Sequence, residues 1–176
     1  MTVPMRAAAV LAPLLVLLPA CAAEGNDRPP KPAPTAGPPQ YLPLTARWCL
    51  PDHGCLELEE PRGPRQFAWG LQERPPLPPM RGMWFAFSPP APARFWMHRT
   101  PAPLDMVFVR QGRVIAIEAR VPPCPRLPCP SYGPGVPVDG VLEIGAGRAA
   151  ALGIELGTPV RIEPLRAGGL SPPEPD

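Results

Sequence analysis

Proline constrains this chain more than any other residue, because there are 34 prolines among its 176 residues. A proline has no backbone N–H and its ring clashes with the preceding helical turn, so it breaks helix interiors and central strands. The prolines fill residues 28–39 and also separate the apolar segments of the remaining chain. We therefore expect short strands joined by stiff loops, and no long helix.

Two hairpins are predicted, each from turn-forming residues between two apolar segments. Residues 44–50 and 55–59 flank the sequence Pro-Asp-His-Gly, whose residue types favour a turn. Residues 106–110 and 114–119 flank the sequence Gln-Gly-Arg, which is short enough for a tight hairpin connection. These four segments are expected to pair as neighbouring antiparallel strands.

The remaining strands and one helix complete the predicted domain. A short helix is predicted over residues 146–152, with Gly153 as its C-terminal cap. The further strands are expected at residues 82–87, 94–99, 141–144 and 160–163. The fold class is thus mainly β, a compact single-domain β-sheet or barrel-like fold with one or two short helices, over residues 41–166.

The N-terminus has the features of an export signal. Residues 1–20 combine a short basic start with an apolar run that is too short to span a bilayer of roughly 30 Å. The sequence Leu18-Pro19-Ala20-Cys21 resembles the bacterial lipobox, in which the cysteine becomes the lipidated first residue. We expect an exported lipoprotein that is anchored to a membrane and faces the periplasm or the cell exterior. The alternative is an ordinary secretory signal, cut near Ala20 or Ala23.

Two further segments are predicted to lie outside the folded domain. Residues 21–40 would carry the lipidated cysteine and a proline-rich tether, with six prolines in residues 28–39. This tether is interpreted as a spacer, and the alternative is a proline-rich ligand for another domain. Residues 167–176 are rich in glycine and proline and are predicted to be disordered.

The charge balance argues against nucleic acid as a partner. The whole chain has 17 basic and 15 acidic residues, a net charge of +2. Arg6 is the one charged residue within the predicted signal peptide, so cleavage would leave the chain closer to neutral. Binding to phosphates requires a basic excess on one face, which this composition does not supply.

The four cysteines that follow Cys21 form two local pairs, Cys49 with Cys55 and Cys124 with Cys129. In an exported protein such pairs predict disulfide bonds. A zinc site would need all four thiolates to converge, and the spacing of the first pair is too wide for the usual zinc element. We expect two disulfides, no metal and no cofactor.

The segment from Trp96 to Asp105 contains the candidate functional residues. In a strand, Trp96 and His98 would share one face, and Met97 and Arg99 the other, so the strand would run along a groove. The carboxylate of Asp105 would be a general base, a ligand contact, or a turn cap bonded to backbone amides. The aromatic side chains here equally suit a hydrophobic core, and His98 the edge of a strand.

Several motifs occur in a fixed order through the predicted domain. They are Trp69-Gly70-Leu71, Arg81-Gly82-Met83-Trp84-Phe85-Ala86-Phe87, Phe95-Trp96-Met97 through Thr100, Pro103-Leu104-Asp105, Val141-Leu142-Glu143, Ala146-Gly147 and Gly153-Ile154. This order resembles the DUF192 family over roughly residues 55–162. The resemblance implies a compact β-rich domain of uncharacterised function.

Three residues depart from the pattern of that family. Trp69 stands where the family usually has Arg, Gln72 where it usually has Met, and Arg99 where it usually has Asn. An amide that donates and accepts hydrogen bonds is thus replaced by an obligate cation at position 99. The change favours an anionic group beside Arg99 or an ion pair with Asp105.

The function predicted from these observations is a non-catalytic binding or accessory module for a small polar ligand or an envelope partner segment. The binding residues that we predict are Trp96, Met97, Arg99, Thr100 and Asp105, and the resemblance implies that all of these except Arg99 share one surface with Pro103. One alternative is a hydrolase that uses Asp105 with His98, although the chain lacks the common hydrolase and phosphate-loop motifs. Another is a purely structural envelope component.

Overall fold

Seven β-strands and two short helices make up the part of the chain that the structure describes, residues 37–165 of a computed structural model. The strands are β1 (Leu44–Leu50), β2 (Gly54–Glu59), β3 (Arg81–Pro92), β4 (Leu104–Arg110), β5 (Arg113–Val121), β6 (Pro137–Gly145) and β7 (Glu163–Pro164). The helices are α1 (Pro64–Trp69) and α2 (Arg148–Ala151). The predicted signal peptide, Cys21, residues 21–36 of the tether and the tail at 167–176 lie outside the described residues.

The seven strands form one sheet in the order β5-β4-β6-β3-β2-β1-β7. Only β2 and β3 pair in parallel, and the other neighbouring strands in the described chain are antiparallel. After α2, the chain forms a single bridge between Pro159 and Arg113 and then pairs with β1 through β7. One segment therefore contacts both ends of the sheet, but no continuous ladder joins them. The fold is mainly β as predicted, and its sheet is not closed into a barrel.

Both predicted hairpins are present. Antiparallel pairing joins β1 to β2 and β4 to β5. In the second turn, Gln111 and Gly112 have φ angles of 51° and 66°. Two successive left-handed residues are characteristic of the type I′ turn, whose twist matches that of the flanking strands. Glycine adopts this conformation without a steric penalty, which explains why the sequence signal was clear.

Hydrophobic cores cover both faces of the sheet. Side chains alternate between the faces along a strand, and in β4 Val107 and Val109 belong to one core while Met106 and Phe108 belong to the other. The first core also contains residues from α2 and its C-terminal side, and the second core is covered by the aromatic segments near α1 and residue 95. The candidate site lies on this second face, between the sheet and the loops that cover it.

The prediction of a strand at residues 94–99 is wrong. This segment makes only isolated bridges, from Phe95 to Tyr132 and from His98 to Cys124. Tyr132 lies in a loop between Pro130 and Pro134, whose missing N–H groups prevent a longer ladder. A left-handed φ of 57° at Arg99 also interrupts the extended conformation. Instead, the preceding strand β3 is longer than predicted and reaches Pro92.

The strand predicted at residues 160–163 is reduced to the two residues of β7. The predicted helix is present as α2, and Gly153, with a φ of 62°, follows its C-cap residue Leu152. The amides of Gly153 and Ile154 donate to the carbonyls of Ala150 and Ala149, which is the Schellman arrangement. Within residues 37–165, neither helix is long and apolar enough to cross a membrane.

Both predicted disulfides are present. Cys49 is bonded to Cys55 across the β1–β2 hairpin. Cys124 is bonded to Cys129 in the proline-rich loop that follows β5. The second disulfide closes the loop that pairs with the 95–99 segment, so it supports one wall of the site described below.

Candidate functional site

A buried carboxyl group lies at the centre of the sheet on its second face. Glu143 of β6 is paired with Met83 of β3 on one side and with Met106 of β4 on the other. Its side chain is 4% exposed. A charged residue type at a central, apolar position is unusual, because carboxylates are rarely buried without a partner.

The carboxyl of Glu143 forms no hydrogen bond or ion pair with another residue of the described chain. Desolvation by burial raises its pKa to about 8. The group is therefore predominantly protonated at neutral pH, and in that state it offers one O–H donor and a carbonyl acceptor. It is a polar group whose hydrogen bonds are not satisfied by residues 37–165.

Glu143 lies at a small cavity between the sheet and its covering loops. The cavity has a volume of about 40 Å³. This is room for about three water molecules, or for a group of similar size. The residues that line it are Phe67, Ala68, Trp69, Gly70, Leu71, Gln72, Phe85, Phe95, Trp96, Thr100 and Glu143. Five of these eleven residues are aromatic, and Glu143 is the one acidic residue among them.

The ring of Trp69 lines the same cavity, and this residue also has a buried polar group. Its indole Nε1–H is buried and has no hydrogen-bond partner within residues 37–165. Trp69 is the last residue of α1, and the side chain of Gln40 holds this helix end by donating to the carbonyls of Gln66 and Gly70, each at 2.9 Å. The position of the indole is thus set by the helix end and by the residues just before β1.

The opposite wall is built by the segment that precedes β4. Trp96 is 47% exposed at the cavity, and Thr100 is buried in it. Arg99 connects this wall to the turn after α1, since its Nε lies 3.1 Å from Glu73 Oε1. The amide of Glu73 in turn donates to the carbonyl of Arg99 at 2.7 Å. This double connection fixes the two walls relative to each other.

Asp105 lies elsewhere and has a different environment. Its side chain is fully buried, and its two carboxylate oxygens accept hydrogen bonds from the amides of Arg120, Gly147 and Ala149 at 2.8 to 2.9 Å. Two of these amides belong to the N-terminal end of α2, whose own N-cap residue, Gly147, has no side chain to cap the helix. The carboxylate therefore caps the helix α2, rather than the local turn that was one of the three roles considered for it from the sequence.

Among the described residues, His98 forms no hydrogen bond or ion pair with Glu143 or Asp105. Its Nδ1 lies 3.9 Å from the Sγ of Cys129, and its ring centroid lies 5.3 Å from that of Trp96. The ion pair of Arg99 is formed with Glu73, whereas the acceptors of Asp105 are occupied by backbone amides.

The predicted site residues therefore separate into three environments. Trp96 and Thr100 line the cavity, and Arg99 ties its walls together. Met97 is fully buried in the second core, and Asp105 caps α2.

Neither Glu143 nor Trp69 was predicted from the sequence as a site residue, although both are motif positions. A signal for Glu143 was present, since it is the single charged residue in the apolar run Val141-Leu142-Glu143-Ile144. A charge inside a strand that is otherwise buried on both faces indicates a special environment. For Trp69 no comparable signal exists, because its unsatisfied N–H depends on the packing of α1.

A wider cleft lies on the other side of the domain, near the β1–β2 turn. Its volume is about 480 Å³, and its polar lining includes Asp52, His53 and Arg161. All three of these residues are exposed, so water can satisfy their polar groups. No group of three or more His, Cys, Asp or Glu side chains within residues 37–165 converges to hold a metal ion.

Fold and site together define a small β-sheet domain with a buried carboxyl in an aromatic cavity. The family profile of DUF192, described as "Uncharacterized ACR", matches residues 50–162. The chain belongs to this family. A comparison with functionally curated proteins finds no match.

Two solved structures are similar to the chain. One is a protein of unknown function from Novosphingobium aromaticivorans DSM 12444, which is 32% identical, with 73% of this chain and 94% of that chain covered and a TM-score of 0.58. The other is a putative transcription regulator from Sinorhizobium meliloti 1021, which is 31% identical, with 68% of this chain and 92% of that chain covered and a TM-score of 0.58.

Proposed function

We propose that the chain is a non-catalytic binding module that holds a small polar group in the cavity at Glu143 and is tethered to the cell envelope by a lipidated Cys21. The observation that carries the proposal is the carboxyl of Glu143, which is buried, lines a cavity and has no hydrogen-bond partner among residues 37–165. Leaving a buried polar group unsatisfied costs about 1–3 kcal/mol. A ligand that supplies the missing hydrogen bonds would recover part of this free energy.

Binding is favoured over hydrolysis by the environments of the acidic residues. Asp105 is fully buried, and its carboxylate oxygens accept hydrogen bonds from three backbone amides. It is therefore not placed to accept a proton from a substrate as a general base. His98 contacts Cys129 and Trp96 rather than a carboxyl group. Glu143 has no second ionisable group in its cavity with which to divide the roles of acid and base.

The proposed anchor rests on the sequence Leu18-Pro19-Ala20-Cys21 and on the proline-rich segment after it. The described end of that segment runs beside the cavity wall. A Cβ atom added to Gly37 would lie 3.4 Å from the Trp69 ring, and Gln40 is bonded to the end of α1. A chain tethered in this way would carry its cavity close to the point where the tether enters the domain.

The description of the Sinorhizobium relative as a putative transcription regulator raises DNA as a partner. We propose no nucleic-acid partner for this chain. Its net charge of +2 gives little electrostatic attraction to phosphates. Arg47, Arg74 and Arg99 also form ion pairs with acidic residues of the same domain.

Native mass spectrometry of the full chain, purified from its own envelope in detergent, tests both parts of the proposal. We expect wild-type protein to carry a small copurifying ligand that is absent from Glu143→Met, and to carry an acyl mass that is absent from Cys21→Ala. The methionine matches the length of glutamate and the type of its neighbours Met83 and Met106. Wild-type protein without a ligand would contradict the binding function and favour a structural envelope component.

A further inference from the structure

We infer that the disulfide between Cys124 and Cys129 is a site of reversible thiol–disulfide exchange with low-molecular-weight thiols, in which His98 stabilises Cys129 as the leaving thiolate. The inference goes beyond the proposed function and does not depend on it. It rests on the contact between His98 and Cys129, on the charge of the ring that the disulfide closes, and on the backbone bonds that join this ring to the segment before β4.

The imidazole of His98 lies directly beside one of the two sulfur atoms. Its Nδ1 is 3.9 Å from the Sγ of Cys129, and its ring packs against that of Trp96, with 5.3 Å between the centroids. In its protonated form this ring donates from Nδ1 and carries a positive charge, and a cation beside a cysteine favours the thiolate. Because a stabilised thiolate leaves a disulfide faster, this contact selects Cys129 as the leaving sulfur.

The charge of the ring acts in the same direction. The Cys124–Cys129 disulfide encloses the sequence Pro-Arg-Leu-Pro, whose one charged residue is the exposed Arg126. The Cys49–Cys55 disulfide encloses the acidic Asp52 together with His53. Among residues 37–165, neither Cys49 nor Cys55 has a sulfur contact with a histidine. A nearby positive charge favours a thiolate and a negative charge opposes it, so the two disulfides of this chain should differ in reactivity.

The two disulfides also differ in what else holds their cysteines together. Cys49 and Cys55 are paired directly across the β1–β2 ladder, which remains when the covalent bond is broken. Cys124 and Cys129 are both partly exposed and lie in a loop outside the named strands, where Cys124 makes a single isolated bridge to His98. The two prolines inside this ring restrict the reduced loop, so the thiols stay close enough to form the disulfide again.

The exchange proceeds in two displacements. The thiolate of one small thiol attacks the Sγ of Cys124 and forms a mixed disulfide, while the bond to Cys129 breaks and Cys129 leaves as a thiolate, which takes a proton from His98. The thiolate of a second small thiol then attacks the small-thiol sulfur of the mixed disulfide and releases Cys124. Two small thiols are oxidised to one small disulfide, and the protein disulfide gains two electrons. The reverse sequence, with a small disulfide as oxidant, restores the bond.

Opening of this disulfide acts on the segment that forms one wall of the cavity at Glu143. The amide of Cys124 donates to the carbonyl of Met97 at 3.1 Å, and the amide of Arg99 donates to the carbonyl of Cys124 at 3.3 Å. The same segment places Trp96 at the cavity. Loss of the covalent closure leaves these two backbone bonds on a less restrained loop, so the redox state of the disulfide is coupled to the mobility of the wall.

The test is a time course of reduction of the full-length chain in detergent by dithiothreitol, with acid quenching, alkylation and peptide mass spectrometry. We expect Cys124–Cys129 to be reduced about tenfold faster than Cys49–Cys55, which is the internal control. His98→Gln keeps a hydrogen-bond donor but no cation, and it should remove most of this difference without changing the rate at Cys49–Cys55. A melting temperature confirms that the variant is folded.

The direction of attack is tested with glutathione in place of dithiothreitol and an early quench. Trypsin cleaves after Arg126, so the two cysteines fall on separate peptides, residues 121–126 and 127–148. We expect glutathione on the first peptide and a free thiol on the second.

Four outcomes would overturn parts of the inference in distinguishable ways. Reduction of Cys124–Cys129 no faster than that of Cys49–Cys55 would remove the exchange site. A difference that persists in His98→Gln would remove the role of His98, and glutathione on residues 127–148 would reverse the direction of attack. The double variant Cys124→Ser/Cys129→Ser should show faster amide hydrogen exchange at residues 95–99 with the β4–β5 hairpin unchanged, and unaltered exchange at 95–99 would remove the coupling to the wall. None of these outcomes depends on whether the cavity binds a ligand.

Discussion

The carboxylate of Asp105 accepts a hydrogen bond from the amide of Ala149 at 2.8 Å and so connects strand β4 to helix α2. The same side chain accepts from the amides of Gly147, at the start of α2, and of Arg120, near the end of β5. Arg120 lies where the β4–β5 register shifts, and its φ is 52°. One buried carboxylate therefore satisfies three amides that helix and sheet leave unpaired.

Asp105→Asn should lower the free energy of unfolding by roughly 3 kcal/mol, because three charge-assisted hydrogen bonds lose their charged acceptor and an amide NH₂ faces backbone donors. Urea denaturation measures the change. Asp52→Asn in the exposed β1–β2 turn is the matched control and should change stability by less than about 0.5 kcal/mol. An unaltered urea midpoint for Asp105→Asn would show that the three bonds contribute little.

The role of Asp105 illustrates what the sequence could and could not predict. A capping role was one of three interpretations, and the local sequence could not decide among them. The deciding amides lie 15, 42 and 44 residues away along the chain. By contrast, the turn at Gln111 and Gly112 was predictable, because both strands and the turn residues that join them are adjacent in sequence.

The candidate site was less predictable than the fold for the same reason. Residues 94–99 alternate in the manner of a strand, but their potential partner lies in a loop whose prolines prevent a ladder. Trp69 and Glu143 are far apart in sequence and meet at one cavity only because α1 covers the sheet. A sequence shows that a carboxyl group is unusual in an apolar strand, but not whether nearby side chains supply its hydrogen bonds.

The stability of the protein should decrease with pH because of Glu143. Its pKa in the folded chain, about 8, is above the ordinary value of 4.5, so between these values the folded chain retains a proton that the unfolded chain releases. Stability from this group is complete below pH 4.5 and declines by roughly 1.4 kcal/mol per pH unit up to pH 8, or roughly 5 kcal/mol in total. Chemical denaturation between pH 4 and 9 measures this decline.

Glu143→Gln is the variant that isolates this effect, since glutamine does not titrate. The difference in unfolding free energy between the variant and the wild type should grow in favour of the variant from pH 4.5 to 8 and then remain constant. A difference that is independent of pH would mean that Glu143 titrates alike in the folded and unfolded chains. At neutral pH the variant should therefore be the more stable protein.

The buried ion pair between Glu59 and Arg74 should be far more sensitive to substitution than an exposed pair. Their side chains are about one-tenth exposed and 2.8 Å apart, and the amide of Leu42 also donates to Glu59. Glu59→Gln leaves the guanidinium of Arg74 buried without its counter-charge, so we expect a loss of roughly 3–5 kcal/mol. Thermal and urea denaturation measure this loss.

The control for this substitution is Glu163→Gln, which removes the exposed pair of Glu163 with Arg47. Solvent screens that pair, and the expected loss is below about 1 kcal/mol. Equal losses in the two variants would show that the burial of the Glu59–Arg74 pair has no energetic consequence.

Gly140 should tolerate no side chain, because the indole of Trp84 occupies the space beside it. A Cβ atom at Gly140 would lie 2.3 Å from two ring carbons of Trp84 and 2.8 Å from the carbonyl oxygen of Phe85. Gly140→Ala forces the indole out of the first core, and overpacking of this kind costs about 1–3 kcal/mol. Denaturant unfolding and the fluorescence spectrum of the tryptophans report the loss and the displacement.

Gly145→Ala on the same strand is the matched control, since its Cβ would meet atoms no nearer than 3.5 Å. It should change stability by less than about 0.5 kcal/mol. If Trp84 is the obstacle, the cost of Gly140→Ala should be smaller in a Trp84→Phe background, with a coupling of at least about 0.5 kcal/mol. Additive effects of the two substitutions would instead assign the cost to the carbonyl of Phe85, which a smaller side chain at position 84 does not remove.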